Sequence, residues 1–306
     1  MNAMQHITLI GYGEVGQIFA HTLQSKGLRV SAWDTKLQTP ASAAALQSIA
    51  ADHHIRLGQD LSDALLNSEL VISAVTASHT LQVAQEASAH IGAGAYFLDL
   101  NSASPGTKQR ARAAIEAAGA HYVEAGVMTS VPPYGIRVPM LLGGTQAHAL
   151  QPILAAWGMD TRVVSADVGV ASATKMCRSI MIKGLEALVI ESFSSARHYG
   201  VEDAMVATLQ ETFPGIDWNE QAAYFFMRVA QHGRRRAEEM RESAATVAEA
   251  GFDPFMGSAI ADKQQFVADQ AAAGAFRSVP TKADWKTYAD ALLATRGPEH
   301  KASAAQ

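Results

Sequence analysis

Apolar and polar positions come in short blocks through the first half of the chain and settle into long helical periods in the second. His6-Ile7-Thr8-Leu9-Ile10 forms a short apolar run of the strand type. Gly16 to Gln24 follows with Ile18, Phe19 and Leu23 at helical spacing, and Gly27 closes that helix. Leu28 to Trp33 returns as a strand, Leu61 to Leu65 opens a short helix, and Leu70 to Val75 is apolar apart from Ser73, the pattern of a strand buried on both faces. The alternation continues with a helix at Leu81 to His90, a strand at Tyr96 to Leu100, an Ala/Arg-rich helix at Gly106 to Ala118 and a strand at His121 to Ala125. Met140 to Leu142 and Arg162 to Val164 add two more strands.

Beyond about Val168 the strand-like runs stop. Amphipathic, Ala-rich stretches cover Ala171 to Tyr199, Glu202 to Gln210, Trp218 to Ala250 and Pro254 to Ala273. The pattern predicts two domains. Residues 1–166 form an α/β, Rossmann-type doubly wound unit with a mainly parallel sheet, and residues 167–306 form an all-α unit. The polar tail from Gly297 to Gln306 reads as frayed.

Composition fits this picture. The 306 residues are 48% hydrophobic, enough for two cores, and only 17% charged, with a net charge of −5. No basic excess points to nucleic acid. No apolar run nears the ~20 residues a membrane helix requires. Met1 to Gln5 lacks the basic and apolar regions of a signal peptide. A single cysteine, Cys177, leaves no internal disulfide and suits a reducing cytoplasm.

Chemistry enters with Gly11-Tyr12-Gly13-Glu14-Val15-Gly16, which follows the first strand directly and opens the first helix. In that setting the first glycine allows a tight turn, the second lets backbone approach a diphosphate, and the third lets helix and strand pack closely. The amides at the helix start then favour phosphate. Asp34 closes the second strand 18 residues beyond Gly16. An acid there accepts from ribose hydroxyls and repels a 2′-phosphate, which favours NAD. Lys36, two residues on, keeps NADP open. Ligands lie outside the carboxyl ends of parallel strands, so Ala74-Val75-Thr76-Ala77 and Asp99-Leu100-Asn101-Ser102-Ala103-Ser104-Pro105 should face the same crevice.

These motifs resemble those of the β-hydroxyacid dehydrogenase family, which includes 3-hydroxyisobutyrate and 6-phosphogluconate dehydrogenases. Asp99 to Ser102 is similar to that family's Asp-x-Ser-Thr-like segment. Glu124-Ala125-Gly126-Val127-Met128-Thr129-Ser130 stands where the family has a substrate-binding Asp-Ala-Pro-Val-Ser-Gly-Gly, so Ser-Gly-Gly has become Met-Thr-Ser. The family's Gly-x-x-x-x-x-Lys-x-x-x-Asn pattern is matched by Gly169 and Lys175, with Ser179 replacing the asparagine. The resemblance makes Lys175 the acid/base. Asn101, Ser102, Thr129, Ser130 and Ser179 are substrate-orienting candidates, and Lys183, one turn past Ser179, could supply charge to an acidic substrate. Lys175, Ser179 and Lys183 recur every four residues and share a helical face. An amine can serve as a base near neutrality when burial and a second cation lower its pKa, the role expected of Lys183.

The stretch from His232 to Met240 is similar to a His-x-Arg-Arg-x-x-Glu-Met segment in divergent relatives and offers Arg235 or His232 to a substrate carboxylate. Its three arginines, 234–236, are balanced by Glu238, Glu239 and Glu242. Cys177, two positions from Lys175, is expected on the other side of the helix as a small core residue. Tyr224-Phe225-Phe226 is expected in a core or interface, and the histidine spacing suggests no metal site. The expected activity is hydride transfer between NAD or NADP and a small, anionic hydroxy acid by a cytoplasmic homodimer or higher oligomer. An imine reductase on the same fold, or a dinucleotide-binding protein without turnover, is the alternative.

Overall fold

The structure is a computed structural model that describes residues 4–280 and 282–295. The expected tail from Gly297 to Gln306 lies outside the described residues. Two compact units divide at Cys177 and Arg178.

The first unit runs β1 (His6–Ile10), α1 (Glu14–Ser25), β2 (Arg29–Trp33), α2 (Pro40–Asp52), β3 (Arg56–Leu57), α3 (Leu61–Leu65), β4 (Leu70–Ser73), α4 (Thr80–Ser88), β5 (Tyr96–Asp99), α5 (Pro105–Ala117), β6 (His121–Val127), β7 (Met140–Gly143), α6 (Ala147–Ala156) and β8 (Thr161–Ser165). Its strands form one sheet in the order β3-β2-β1-β4-β5-β6-β7-β8. All neighbours are parallel except β6 and β7. This is the doubly wound α/β architecture that the alternating pattern predicts. The order reverses between β1 and β4, which makes that crevice the switch point of the sheet.

Central strands are covered on both sides. Ile7 and Leu9 of β1 enter one core, with Phe19, Leu23 and Leu98. Ile10 enters the other, with Val71, Phe97 and Ile115. Thr8, buried among these, donates its hydroxyl to the Ala64 carbonyl (2.9 Å), so the polar atom is satisfied. Gly27 adopts φ +85° at the end of α1, a backbone that side chains resist. Ser104 accepts from the Thr107 amide at the start of α5, and Pro105 fills the first helical position.

The remaining helices are α7 (Val170–Tyr199), α8 (Glu202–Thr212), α9 (Trp218–Glu249), α10 (Phe255–Ala272) and α11 (Trp285–Ala294). The division between units falls inside α7. The helical unit is built on aromatic residues: Phe193, Trp218, Phe226, Trp285 and Tyr288 share one core, with Phe193 edge-on to Trp285 at 4.9 Å. Helices α9 and α10 meet closely at Gly233, where a Cβ would lie 2.9 Å from the Gln264 carbonyl oxygen. Of the expected aromatic triplet, Phe225 and Phe226 are core residues and Tyr224 is exposed.

Candidate functional site

The strands bring one line of residues into register across the sheet: Trp33, Ile10, Ser73, Asp99 and Glu124. Everything just past that line emerges at the same edge. Gly11 begins the turn after β1, Asp34 follows β2, Val75 and Thr76 follow β4, and Asn101 and Ser102 follow β5. Thr129 and Ser130 follow β6. The sheet thus gathers all these predicted site residues at its carboxyl edge.

The glycine turn has the shape a diphosphate needs. Gly11 sits at φ +89°, and a Cβ there would lie 2.4 Å from the Ala74 carbonyl oxygen. A Cβ on Gly16 would lie 1.9 Å from the Gly11 oxygen, so no other residue fits. A Cβ on Gly13 would meet nothing within 4 Å, which leaves open space above the turn. Gly13 is the N-cap of α1, and no side chain caps that helix. An open cradle at an uncapped helix start, with Glu14 and Val15 in its first turn, fits an anionic phosphate group. Gln17 braces the turn from below by donating to the Tyr12 carbonyl (2.9 Å).

Tyr12 belongs to the turn through its backbone. Its ring is fully buried in the core, and its hydroxyl pairs with His21 Nε2 at 2.8 Å. Burial pushes the phenol up to about 12, so it remains a donor. Tyr12 can therefore serve a ligand only through its backbone. Its amide already donates to Asp34 Oδ2 (2.8 Å), while the Lys36 amide donates to Asp34 Oδ1 (2.9 Å). Asp34 is thus held by the turn it was expected to complement.

The β4 and β5 ends are tied together by Asn101. Its Oδ1 accepts from the Val75 amide (2.7 Å), its Nδ2 donates to Ser73 Oγ (2.9 Å), and its amide donates to Asp99 Oδ1 (2.9 Å). Asn101 is buried, so it holds the edge in shape, while half-buried Ser102 is the neighbour presented outward. Lys175 Nζ donates to Ser102 Oγ at 2.5 Å. The helix reaches this point because β6 carries Gly126, where a Cβ would lie 2.9 Å from the Ala171 oxygen and 3.7 Å from Lys175 Cβ.

Ser179 and Lys183 fall in the helical unit. Lys183 is buried and its charge is matched by half-buried Glu239 (2.8 Å). The arginine run is balanced by Glu238 and Glu239 as expected at Arg234 and Arg235, and departs from that expectation at Arg236. Arg235 is exposed and lies 3.9 Å from Glu239. Arg236 is the buried member, paired through both Nε and Nη2 with the carboxylate of Glu186, which also accepts from Gln264 Nε2 (3.2 Å). Helix phase explains this, since Arg236 shares a face with Gly233 and Met240 while Arg235 does not. Cys177 is exposed and not a core residue. The Lys175 side of this turn packs on β6, which leaves the opposite side outward.

Sequence reasoning gave no individual role to four buried polar residues behind the edge, two of which, Asp99 and Glu124, it had named only within longer segments. Lys108 Nζ contacts Asp99 Oδ1 (2.8 Å) and the Asp99 carbonyl (3.1 Å). Tyr122 donates to Asp99 Oδ2 (2.6 Å), and burial followed by the Asp99 charge holds its phenol well above the ordinary range. Glu124, fully buried, accepts from the amides of Gly169 (2.7 Å), Ala171 (3.0 Å) and Ser172 (3.3 Å). The available signal was a charged residue within or against an apolar strand: Asp99 in Tyr-Phe-Leu-Asp and Glu124 in His-Tyr-Val-Glu.

A doubly wound sheet with a glycine cradle at its switch point, followed by an all-helical unit, defines a dinucleotide-binding protein. Residues 6–168 match the NAD binding domain of 6-phosphogluconate dehydrogenase, and residues 196–267 match Domain of unknown function (DUF1932). The chain therefore belongs to the 6-phosphogluconate dehydrogenase type of NAD-binding proteins, the β-hydroxyacid dehydrogenase family. A conserved hypothetical protein from Sinorhizobium meliloti is 35% identical, with 96% of this chain and 98% of that one covered and a TM-score of 0.75. The conserved protein MTH1747, whose structure is described as similar to 3-hydroxyacid dehydrogenases, is 30% identical over 88% of this chain and 98% of its own, with a TM-score of 0.66. The Mycobacterium tuberculosis 3-hydroxyisobutyrate dehydrogenase shares the fold at 16% identity, covering 94% and 99% of the two chains with a TM-score of 0.65. Among the described residues no helix is long and apolar enough to cross a membrane.

Proposed function

We propose that this chain transfers hydride between a nicotinamide dinucleotide and a small hydroxy acid, with Lys175 as the acid/base. The reading rests on one observation: the Lys175 amine reaches Ser102 at 2.5 Å, at the edge where the glycine cradle and Asp34 also emerge. Gly11 to Gly16 and the start of α1 would hold the diphosphate, with Val75 and Thr76 alongside. Asp34 would accept from the ribose and disfavour a 2′-phosphate, so NAD is the preferred cofactor and NADP the alternative. A bound nicotinamide supplies the hydride acceptor in oxidation and the hydride donor in reduction.

The chain's own residues handle the proton. In oxidation a neutral Lys175 amine takes the proton of the substrate hydroxyl. In reduction the ammonium returns it. Ser102 accepts from Lys175, which leaves its own hydroxyl proton to donate to a substrate oxygen. Thr129 and Ser130 are the sheet unit's hydroxyl donors for a substrate carboxylate, and Ser179 is the candidate that the family pattern adds. The ion pair of Lys183 with Glu239 makes these neutral donors the more suitable ones. In this reading residues 1–166 hold the cofactor and residues 167–306 supply substrate contacts and a homodimer surface, in the cytoplasm.

The test is a panel of small hydroxy acids, with cyclic imines beside them, assayed with NAD and NADP by absorbance of the reduced cofactor. At least one hydroxy acid is expected to be oxidised. Lys175→Gln should lose about 100-fold or more in turnover, the scale of general acid–base catalysis, while still binding NADH. Turnover close to the wild-type rate in that variant would remove the lysine's role, and turnover of imines alone would reassign the substrate class.

A further inference from the structure

Glu124 is a fully buried carboxylate in the middle of a sheet, and the proton-handling reading above makes no use of it. A buried charge persists only where something compensates it. Here the compensation is the start of α7, whose amides converge on the carboxylate. Gly169 and Ala171 donate to Oε1 and Ser172 to Oε2. These are groups that a helix leaves without intrahelical partners, and they carry the positive end of its dipole.

Two glycines make room for the contact. A Cβ on Gly143 would lie 2.6 Å from Glu124 Oε1, and one on Gly126 would lie 2.9 Å from the Ala171 oxygen. Lys175 is one turn beyond these amides on the same rigid helix, and its Cβ lies against Gly126. Gly126 is two residues from Glu124 and therefore on the same face of β6. The carboxylate, the helix start and the lysine thus form one assembly over a single strand.

We propose that Glu124 is a positioning residue that sets where Lys175 stands. The carboxylate pins the first turn of α7 to β6, and that pin fixes the depth and direction from which the amine meets Ser102. Glu124 itself touches neither substrate nor cofactor. The proposal deepens the lysine's assigned role, and its test separates the two.

Two substitutions perturb the pin differently. Glu124→Gln replaces one accepting oxygen with a donor and removes the charge. Gly143→Ala keeps the glutamate and pushes its carboxylate away from the amides. Acylation of each lysine by acetic anhydride, mapped by peptide mass, reads the position of the amine without needing a substrate. Lys108, buried and ion-paired, reports whether the sheet unit is still folded.

Both variants should acylate Lys175 about fivefold faster or more, within the range that release of a helix-terminus contact permits. Lys108 should stay protected. On whichever hydroxy acid the wild type oxidises, kcat should fall with NADH affinity unchanged, a split that general destabilisation does not produce. Lys175 acylation within about twofold of wild type, in a variant that still protects Lys108, overturns the proposal. If both variants lose Lys108 protection, amide exchange in the unaltered protein decides. The Gly169 and Ala171 amides should be protected like the interior of α7, and exchange at the rate of free amides overturns the pin. A catalytically unimportant Lys175, seen as retained turnover in Lys175→Gln, would leave the acylation result intact and so sink only the functional reading.

Discussion

Replacing Lys108 with methionine keeps the aliphatic length of the side chain and deletes its charge from a fully buried place. Lys108 and Asp99 are 1% and 0% exposed, so little solvent can rescue the carboxylate left behind. Removing one member of a buried pair costs about 3–5 kcal/mol. Asp99 keeps two donors, the Tyr122 hydroxyl and the Asn101 amide. Hydrogen bonds to a charged acceptor contribute about 1.5–3 kcal/mol each, which places the loss near the lower end, ~3 kcal/mol. For a unit of this size that lowers the unfolding temperature by about 6–12 °C. The double variant Lys108→Met with Asp99→Asn should recover about 1 kcal/mol or more, because it no longer buries an uncompensated charge. Scanning calorimetry reads both. A shift of under about 2 °C for Lys108→Met, or a double variant less stable than the single, would refute the assignment of Asp99 and Lys108 as an energetically coupled pair.

Three further outcomes follow from particular contacts. Asp34→Asn should weaken NAD binding by about tenfold and narrow its lead over NADP, measured by fluorescence titration, and unchanged values for both cofactors would remove Asp34 from the ribose site. His6 is buried, and desolvation lowers its pKa despite its hydrogen bond to the Asn67 carbonyl. The unfolded chain therefore binds the proton more readily, and this residue's contribution is present above about pH 6.5 and lost as the pH falls through the lower folded value. His6→Gln should flatten that acid-side loss in urea titrations, and an unchanged pH slope would count against it. Arg236→Met should destabilise the helical unit by about 3 kcal/mol by stranding Glu186, whereas Arg235→Ala should change stability by no more than about 0.5 kcal/mol in denaturant unfolding.

Much of the sheet unit was legible in the sequence because its strands are short apolar blocks and its turns are glycines with steric reasons to be there. Gly11 and Gly16 each face a carbonyl that excludes a Cβ, and motif spacing encodes that directly. Helix α2 was missed because Pro40 to Asp52 is rich in alanine, with little apolar period to detect. Strand β3 is only two residues long, too short for any period. The antiparallel turn of β7 depends on its pairing with β6, a nonlocal choice. Strand-end arithmetic placed the loops after β1, β2, β4 and β5 at one edge of the sheet, as the structure has them, and the family pattern singled out Lys175, whose amine meets Ser102 there. The partners of single side chains did not follow, such as the bonds that tie Asn101 to Val75 in the sheet unit and Lys183 to Glu239 in the helical unit. Residues such as Arg236 and Arg235 differ only in helix phase against a neighbour, which composition does not record.

The acceptor for the opening amides of α7 comes from a residue 45 positions earlier than the first of them. That long reach limits how members of this family can be recombined. A chimera that takes its helical half from a relative inherits a helix whose first turn is completed by the other parent's strand. Such an exchange should succeed only when the acid at 124 and the small residues at 126 and 143 travel with the graft, so the natural crossover point lies upstream of β6 and not at the visible change from sheet to helices.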